Sequence, residues 1–165
     1  MHVDFAPWNV LSGEMLKTGK YNPRNLDGRS LMIDCLRGLT VVEWTRAGDR
    51  IVSHGVVEKT KLPDTWQIRK LFVTDEHRGN GNGSAAMENI VRRLLLIPVC
   101  ESPVHFAFTD NARIVKVLRT FRFKTVTAAT MPDVEQWAQV VGVYDRLPAA
   151  LRGKPPDGRY LLIRR

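Results

Sequence analysis

One layered α/β domain spanning residues 1–165 is the fold class this sequence predicts, on three observations. Segments rich in β-branched and aromatic residues dominate Leu39 to Val73, helical periodicity appears later between further strand-like segments, and the composition is that of an ordinary globular chain. With 165 residues, 44% hydrophobic and 25% charged, the chain can bury one sizeable core without disulfide or metal staples and is too balanced for intrinsic disorder.

The first 36 residues mix Ser12-Gly13-Glu14 with the turn-rich run Tyr21 to Gly28, which predicts one or two short helices joined by a loop. Leu39 to Thr45 and Ile51 to Glu58, separated by Ala47-Gly48-Asp49, read as a hairpin whose glycine supplies the turn. A third strand, Trp66 to Val73, has Ile68 and Phe72 as apolar positions and runs straight into His77-Arg78-Gly79-Asn80-Gly81-Asn82-Gly83. Met87, Ile90, Val91, Leu94 and Leu95 then recur at i, i+3, i+4, i+7 and i+8, opposite Glu88, Asn89, Arg92 and Arg93, the pattern of an amphipathic helix stopped before Pro98.

A further strand, Val104 to Thr109, leads to Asp110-Asn111, which can cap a second helix with apolar positions Ile114, Val117, Leu118 and Phe121. Phe123 to Thr127 resumes strand character, Pro132 to Val141 predicts a short helix with the proline in its first turn, and Arg159 to Arg164 predicts a terminal strand.

Strand, glycine loop and helix in immediate succession place unpaired backbone N–H groups at a helix N-terminus, which favours an anion. Gly79, Gly81 and Gly83 allow positive φ and let the backbone approach a ligand with no Cβ in the way, so a pyrophosphate is the expected guest. A P-loop would need Gly-Lys-Ser or Gly-Lys-Thr, but Gly83 is followed by Ser84 with no lysine. A Rossmann fingerprint would need its loop after the first strand of a parallel unit, whereas this loop follows an apparent antiparallel meander.

The run Val73-Thr74-Asp75-Glu76-His77-Arg78-Gly79-Asn80-Gly81-Asn82-Gly83-Ser84 resembles the GNAT acetyltransferase motif, in which a strand ending in Val and a short acidic turn precede Arg-x-x-Gly-x-Gly at a helix start. Asn111 and Phe123 sit where that superfamily carries an Asn opening the next helix and a later Gly-Phe, with Arg122 in place of the glycine; the likeness covers roughly Leu39 to Thr127. It implies a central, mostly antiparallel mixed sheet flanked by helices, and acetyl-CoA as cosubstrate. By the same resemblance, Arg78, Gly79, Asn80, Gly81, Asn82, Gly83 and Ser84 hold the pyrophosphate through backbone N–H groups. Edge groups of Leu71, Phe72 and Val73 take the pantetheine arm and the thioester oxygen, and Asn111 touches the pantetheine from across the cleft.

The chain departs from the superfamily where proton transfer is concerned. A tyrosine that protonates the leaving thiolate in many members is Leu118 here, and the two common positions of a glutamate base are Gln67 and Phe106. His54 and Glu58, on one face of a strand by the period of two, His105 after the loop helix, and Tyr144 remain as candidate acids or bases, with a water relay as the alternative.

The net charge of +8 implies an anionic partner, with Arg146, Arg152, Lys154, Arg159, Arg164 and Arg165 the richest stretch. An acidic protein or an aminoacyl-tRNA fits this as carrier of the acceptor amine better than a polycationic drug does. Two other readings stay open, a GNAT-like binding module without turnover and a basic nucleic-acid-binding protein. Arg113, Lys116, Arg119 and Arg122 recur every third residue as a solvated helix face, while Trp8, Trp44, Trp66 and Trp137 are dispersed packing residues. Cys35 and Cys100 are too few for a disulfide framework, Cys100 is expected to be buried, and no Cys/His spacing suggests a metal site. The apolar run Leu94 to Cys100 is too short to span a bilayer and no secretory signal opens the chain, so a cytoplasmic protein is expected.

Overall fold

β-Branched and aromatic residues form three strands in meander, β1 (Thr40–Ala47), β2 (Arg50–Lys59) and β3 (Thr65–Val73), each antiparallel to the one before. The computed structural model describes residues 40–47, 50–74, 78, 82–96 and 100–165. Trp8, Cys35, the expected N-terminal helices, the turn glycine Gly48 and the loop residues Gly79, Asn80 and Gly81 lie outside them. Helix α1 (Asn82–Leu96) follows the glycine loop and leads to β4 (Val104–Thr109), which lies parallel to β3. After α2 (Ala112–Thr120), β5 (Lys124–Thr125), α3 (Val134–Val141) and two 3-10 turns, Tyr144–Arg146 and Ala149–Arg152, strand β6 (Tyr160–Arg164) completes the sheet. Its order is β1-β2-β3-β4-β6-β5. The sheet is thus mixed and mostly antiparallel, as the resemblance implied.

Alternation along the strands sends residues to two cores. Trp66, Ile68, Ala107 and Leu162 pack with Ile90 and Leu94 of α1 and Leu118 of α2. Phe106, Leu161 and Ile163 face the other way, toward Val134 and Ala138 of α3 and Leu147 of the 3-10 segment. Phe106 meets Trp137 edge-on with centroids 5.1 Å apart, so that tryptophan is a packing residue. Gly55 is required for α1 to lie this close: a Cβ there would stand 2.6 Å from Ile90 Cγ2, 2.8 Å from Leu94 Cδ1 and 2.9 Å from Leu71 Cδ2.

Three local features differ from expectation. The strand foreseen from Phe123 to Thr127 is reduced to two residues, because α2 ends in a tight closure and Thr127 begins a turn bonded to Thr130. In that closure the Phe123 N–H donates to Leu118 O at 3.2 Å and the Arg122 N–H to Arg119 O at 3.0 Å, with Arg122 at φ 67°. Arg122 therefore holds the left-handed conformation that a glycine would adopt without strain, at roughly 1–2 kcal/mol. Helix α3 begins at Val134, leaving Pro132 ahead of it. Cys100 is half-buried rather than enclosed, because it sits at a bend of the α1–β4 connection. No helix among the described residues is long and apolar enough to cross a membrane.

Candidate active site

A bulge in β3 opens the sheet. Cα pairing passes from His54↔Phe72 to Val56↔Arg69, so Gly55 faces the two residues Lys70 and Leu71, and Lys70 takes φ 57°. One extra residue bends the strand and increases its twist, and a lysine in the left-handed region costs of order 1–3 kcal/mol, which the surrounding sheet has to hold. Parallel pairing with β4 stops just before the bulge, its last partners being Ile68 and Ala107. Beyond that pair the two strands diverge, and residues 69–73 present an edge with no β4 partner to a gap in the middle of the sheet.

On the helical side of this gap lies a cavity of about 660 Å³. Leu71, Phe72 and Val73 form one wall, Arg78, Gly83, Ser84 and Met87 the entrance to α1, and Asn111, Arg113 and Val117 the wall opposite. Unpaired strand edge, helix N-terminus and a second helix start therefore converge, with donors suited to an extended, phosphorylated ligand.

Two side chains in this cavity have local duties. Asn111 caps α2, its Oδ1 accepting from Arg113 N at 2.9 Å and Ile114 N at 3.4 Å. That leaves its amide NH₂ as the further donor for a ligand. Arg78 folds back on the strand it follows, Nε donating to Val73 O at 2.6 Å and the guanidinium carbon lying 4.9 Å from the Phe72 ring centroid. It thereby ties the glycine loop to the end of β3. The loop residues Gly79, Asn80 and Gly81, and the side chain of Asn82, are outside what is described.

The candidate acids and bases are scattered. His54 is 1% exposed and stacks on Phe72 at 5.2 Å between centroids. Burial lowers its pKa to about 4, with a backbone bond at Lys70 opposing in part. His105, also 1% exposed, has neither ring nitrogen hydrogen-bonded among the described residues, and burial followed by the charge of Arg164 lowers its pKa to about 4. Both imidazoles are therefore neutral at neutral pH, and neither lines the 660 Å³ cavity. Tyr144, half-buried in the first 3-10 turn, donates its hydroxyl to Glu135 Oε2 at 3.4 Å. Leu118 is fully buried and Phe106 likewise, so both positions serve packing.

Glu58 lies across from Gln67 in the β2–β3 register and forms ion pairs with Arg69 and, at 3.7 Å, with Lys70. These two cations line a second cavity, of about 390 Å³, on the far side of the gap. It is bounded by Gln67 to Leu71 of β3, Ala107 to Thr109 of β4, and by Ile114, Arg146 and Arg159. The two cavities share Leu71 and Ile114, so they meet at the gap. Sequence reasoning located Arg146 and Arg159 only as part of a basic stretch and passed over Arg69. The signal was present in Gln67, Arg69 and Leu71, which flank the bulge residue, but the bulge itself inverts the alternation and has no sequence mark.

No family model and no curated protein sequence matches the chain. Solved structures that superpose on the chain include GNAT-family acetyltransferases. A GNAT-family acetyltransferase from Staphylococcus aureus Mu50 aligns over 99% of this chain and 96% of its own, with TM-score 0.54 and 10% identity. PaiA N-acetyltransferase from Thermoplasma acidophilum, solved with coenzyme A, aligns over 100% and 96%, with TM-score 0.53 and 8% identity. RimL, a ribosomal L7/L12 alpha-N-protein acetyltransferase also solved with coenzyme A, aligns over 98% and 90%, with TM-score 0.58 and 10% identity. Full-length superposition at such low identity establishes architecture, and by that measure the chain has the GNAT acetyltransferase fold.

Proposed function

We propose that this protein is an acyl-CoA-dependent N-acetyltransferase that moves an acetyl group from acetyl-CoA to a primary amine by direct attack in a ternary complex. The observation that carries this is the gap between β3 and β4, where an unpaired strand edge separates two cavities that touch. Coenzyme A bound by the superposed PaiA and RimL structures supports acetyl-CoA as the donor here.

In this proposal the pyrophosphate lies against the backbone from Arg78 to Ser84 at the start of α1, where N–H groups and the helix dipole favour negative charge. Asn111 and the edge of Leu71, Phe72 and Val73 hold the pantetheine arm. The acceptor amine attacks the thioester carbonyl from the 390 Å³ cavity; the new C–N bond forms, the carbonyl oxygen takes negative charge, and the C–S bond then breaks to release CoA thiolate. Strand-edge N–H groups that donate to that oxygen stabilise charge that exists only in the transition state, which with positioning supplies most of the rate.

One proton leaves the amine and one reaches the thiolate. Of the four acid and base candidates, Glu58 is, among the described residues, the one whose side chain forms ion pairs with residues lining the acceptor cavity, and we assign it the far end of a water relay that removes the amine proton. The thiolate takes its proton from water, since Leu118 offers none.

The test is CoA release with a panel of primary amines, in the wild type and in Glu58→Gln. Turnover whose acidic limb disappears in Glu58→Gln supports the assignment; turnover with an unchanged profile removes Glu58 from the mechanism. Acetyl-CoA binding without turnover for any amine would leave a GNAT-fold binding module. Nucleic-acid binding with no affinity for acetyl-CoA would leave a basic binding protein instead.

A further inference from the structure

The cavity on the acceptor side is cationic. Arg69, Lys70, Arg146 and Arg159 line it, and among the described residues no aspartate or glutamate does. Carboxylates just outside answer part of this charge: Glu58 bonds Arg69 and Lys70, and Asp157 bonds Arg159 at 2.7 Å. Arg146 is different. Among the described residues it forms no ion pair, and the contact of its guanidinium is a long one, 3.5 Å from Nη1 to Gln67 Oε1. Its pKa is lowered first by partial desolvation and then by the charge of Arg69, with the charge of Glu58 opposing in part, and Glu58, Arg69 and Arg146 together line a further cavity of about 210 Å³.

Guanidinium forks on a cavity whose described lining holds no carboxylate match the geometry of an incoming oxyanion, which would relieve the repulsion that Glu58 leaves between them. The volume, about 390 Å³, suits a small molecule rather than a polypeptide segment. Because this cavity meets the larger one at Leu71 and Ile114, an amine on a short chain from that oxyanion reaches the gap. We propose that the acceptor is a small amine bearing a carboxylate or phosphate group, which Arg146, with Arg69, binds so as to aim the amine at the thioester. This inference rests on the acetyltransferase proposal above. It narrows the anionic partner suggested by net charge from an acidic protein or aminoacyl-tRNA to a small oxyanionic amine.

The experiment is a calorimetric titration of the CoA-saturated protein, whose loop anion site is then filled, with matched pairs: β-alanine against propylamine, and O-phosphoethanolamine against ethanolamine. At least one anionic member should bind 10-fold or more tighter than its neutral partner, and which one does so distinguishes carboxylate from phosphate. Arg146→Gln should weaken that member about 10- to 100-fold, the scale of a lost charge-assisted hydrogen bond, while CoA affinity stays the same. Arg146→Lys, which keeps the charge and loses the fork, provides a second variant should Arg146→Gln fail to fold, and it should weaken the same member. Equal binding of both members of each pair, no anion binding to the CoA-loaded protein, or binding confined to an acidic polypeptide or tRNA overturns the proposal. A separate titration with acetyl-CoA alone keeps the two levels apart: if acetyl-CoA fails to bind, the acetyltransferase proposal falls, whatever the anions do.

Discussion

Acidification should unfold this protein through two buried imidazoles. His54 and His105 are each 1% exposed and held near pKa 4, against an ordinary value of 6.5. Above pH 6.5 both are neutral in the folded and unfolded chain and contribute nothing to pH dependence. Between pH 6.5 and 4 the unfolded chain takes up protons that the folded one refuses, so stability falls as pH falls. At about 1.4 kcal/mol per unit, a gap of about 1.5 units at pH 5 costs about 2 kcal/mol for each histidine. Urea denaturation at pH 7.5 and pH 5.0 should therefore show a loss of about 4 kcal/mol from the pair, a large part of an ordinary domain's stability. His105→Leu isolates one share: it should remove about 2 kcal/mol of the loss, and because the ring nitrogens of His105 have no hydrogen-bond partner among the described residues, it should not destabilise the protein at pH 7.5. NMR titration of the imidazole carbons gives the pKa values directly. A value of 6 or above for either residue, or a pH dependence that His105→Leu leaves unchanged, would refute the reasoning and return that histidine to the list of candidate bases.

Two further substitutions test the packing that shapes the site. Gly55→Ala inserts a methyl within 3 Å of Ile90, Leu94 and Leu71, and should destabilise the fold by about 1–3 kcal/mol in urea denaturation; a neutral result would mean that α1 does not lie as close as described. Arg122→Gly relieves about 1–2 kcal/mol of left-handed strain and adds about 0.5–1 kcal/mol of unfolded-state entropy, for a net gain between about 0 and 1.5 kcal/mol; a loss of stability would show that the arginine side chain contributes contacts.

Local chemistry made some elements easy to anticipate and hid others. α1 was plain because Met87, Ile90, Val91, Leu94 and Leu95 repeat at helical spacing, and Asn111 could be read as a cap because its short amide has few other uses before a helix. β5 was overextended because Phe123 is apolar through a helix closure, not through strand alternation, and the positive φ of Arg122 leaves no trace in composition. The 660 Å³ cavity lies where the glycine loop between strand and helix pointed, because that loop has one dominant physical use, the binding of an anion. The 390 Å³ cavity could not be foreseen, since Arg69 and Arg146 are 77 positions apart in the chain (146 minus 69) and the β3 bulge and the placement of the 3-10 turn bring both into its lining. His54 and His105 were candidates on residue type and strand position; their burial depends on the strand register and on what α1, α3 and the sheet cover.

Calorimetric titration of the purified protein with acetyl-CoA at low salt, with Gly83→Val alongside, tests the central claim most directly. Gly83 lines the 660 Å³ cavity at the start of α1, where a branched side chain would stand between the backbone N–H groups and a pyrophosphate. Saturable one-to-one binding that weakens as salt rises, and that Gly83→Val reduces by 10-fold or more while the variant still melts cooperatively, is the predicted result. Absence of measurable acetyl-CoA affinity at low salt, or an affinity that Gly83→Val leaves unchanged, would contradict it.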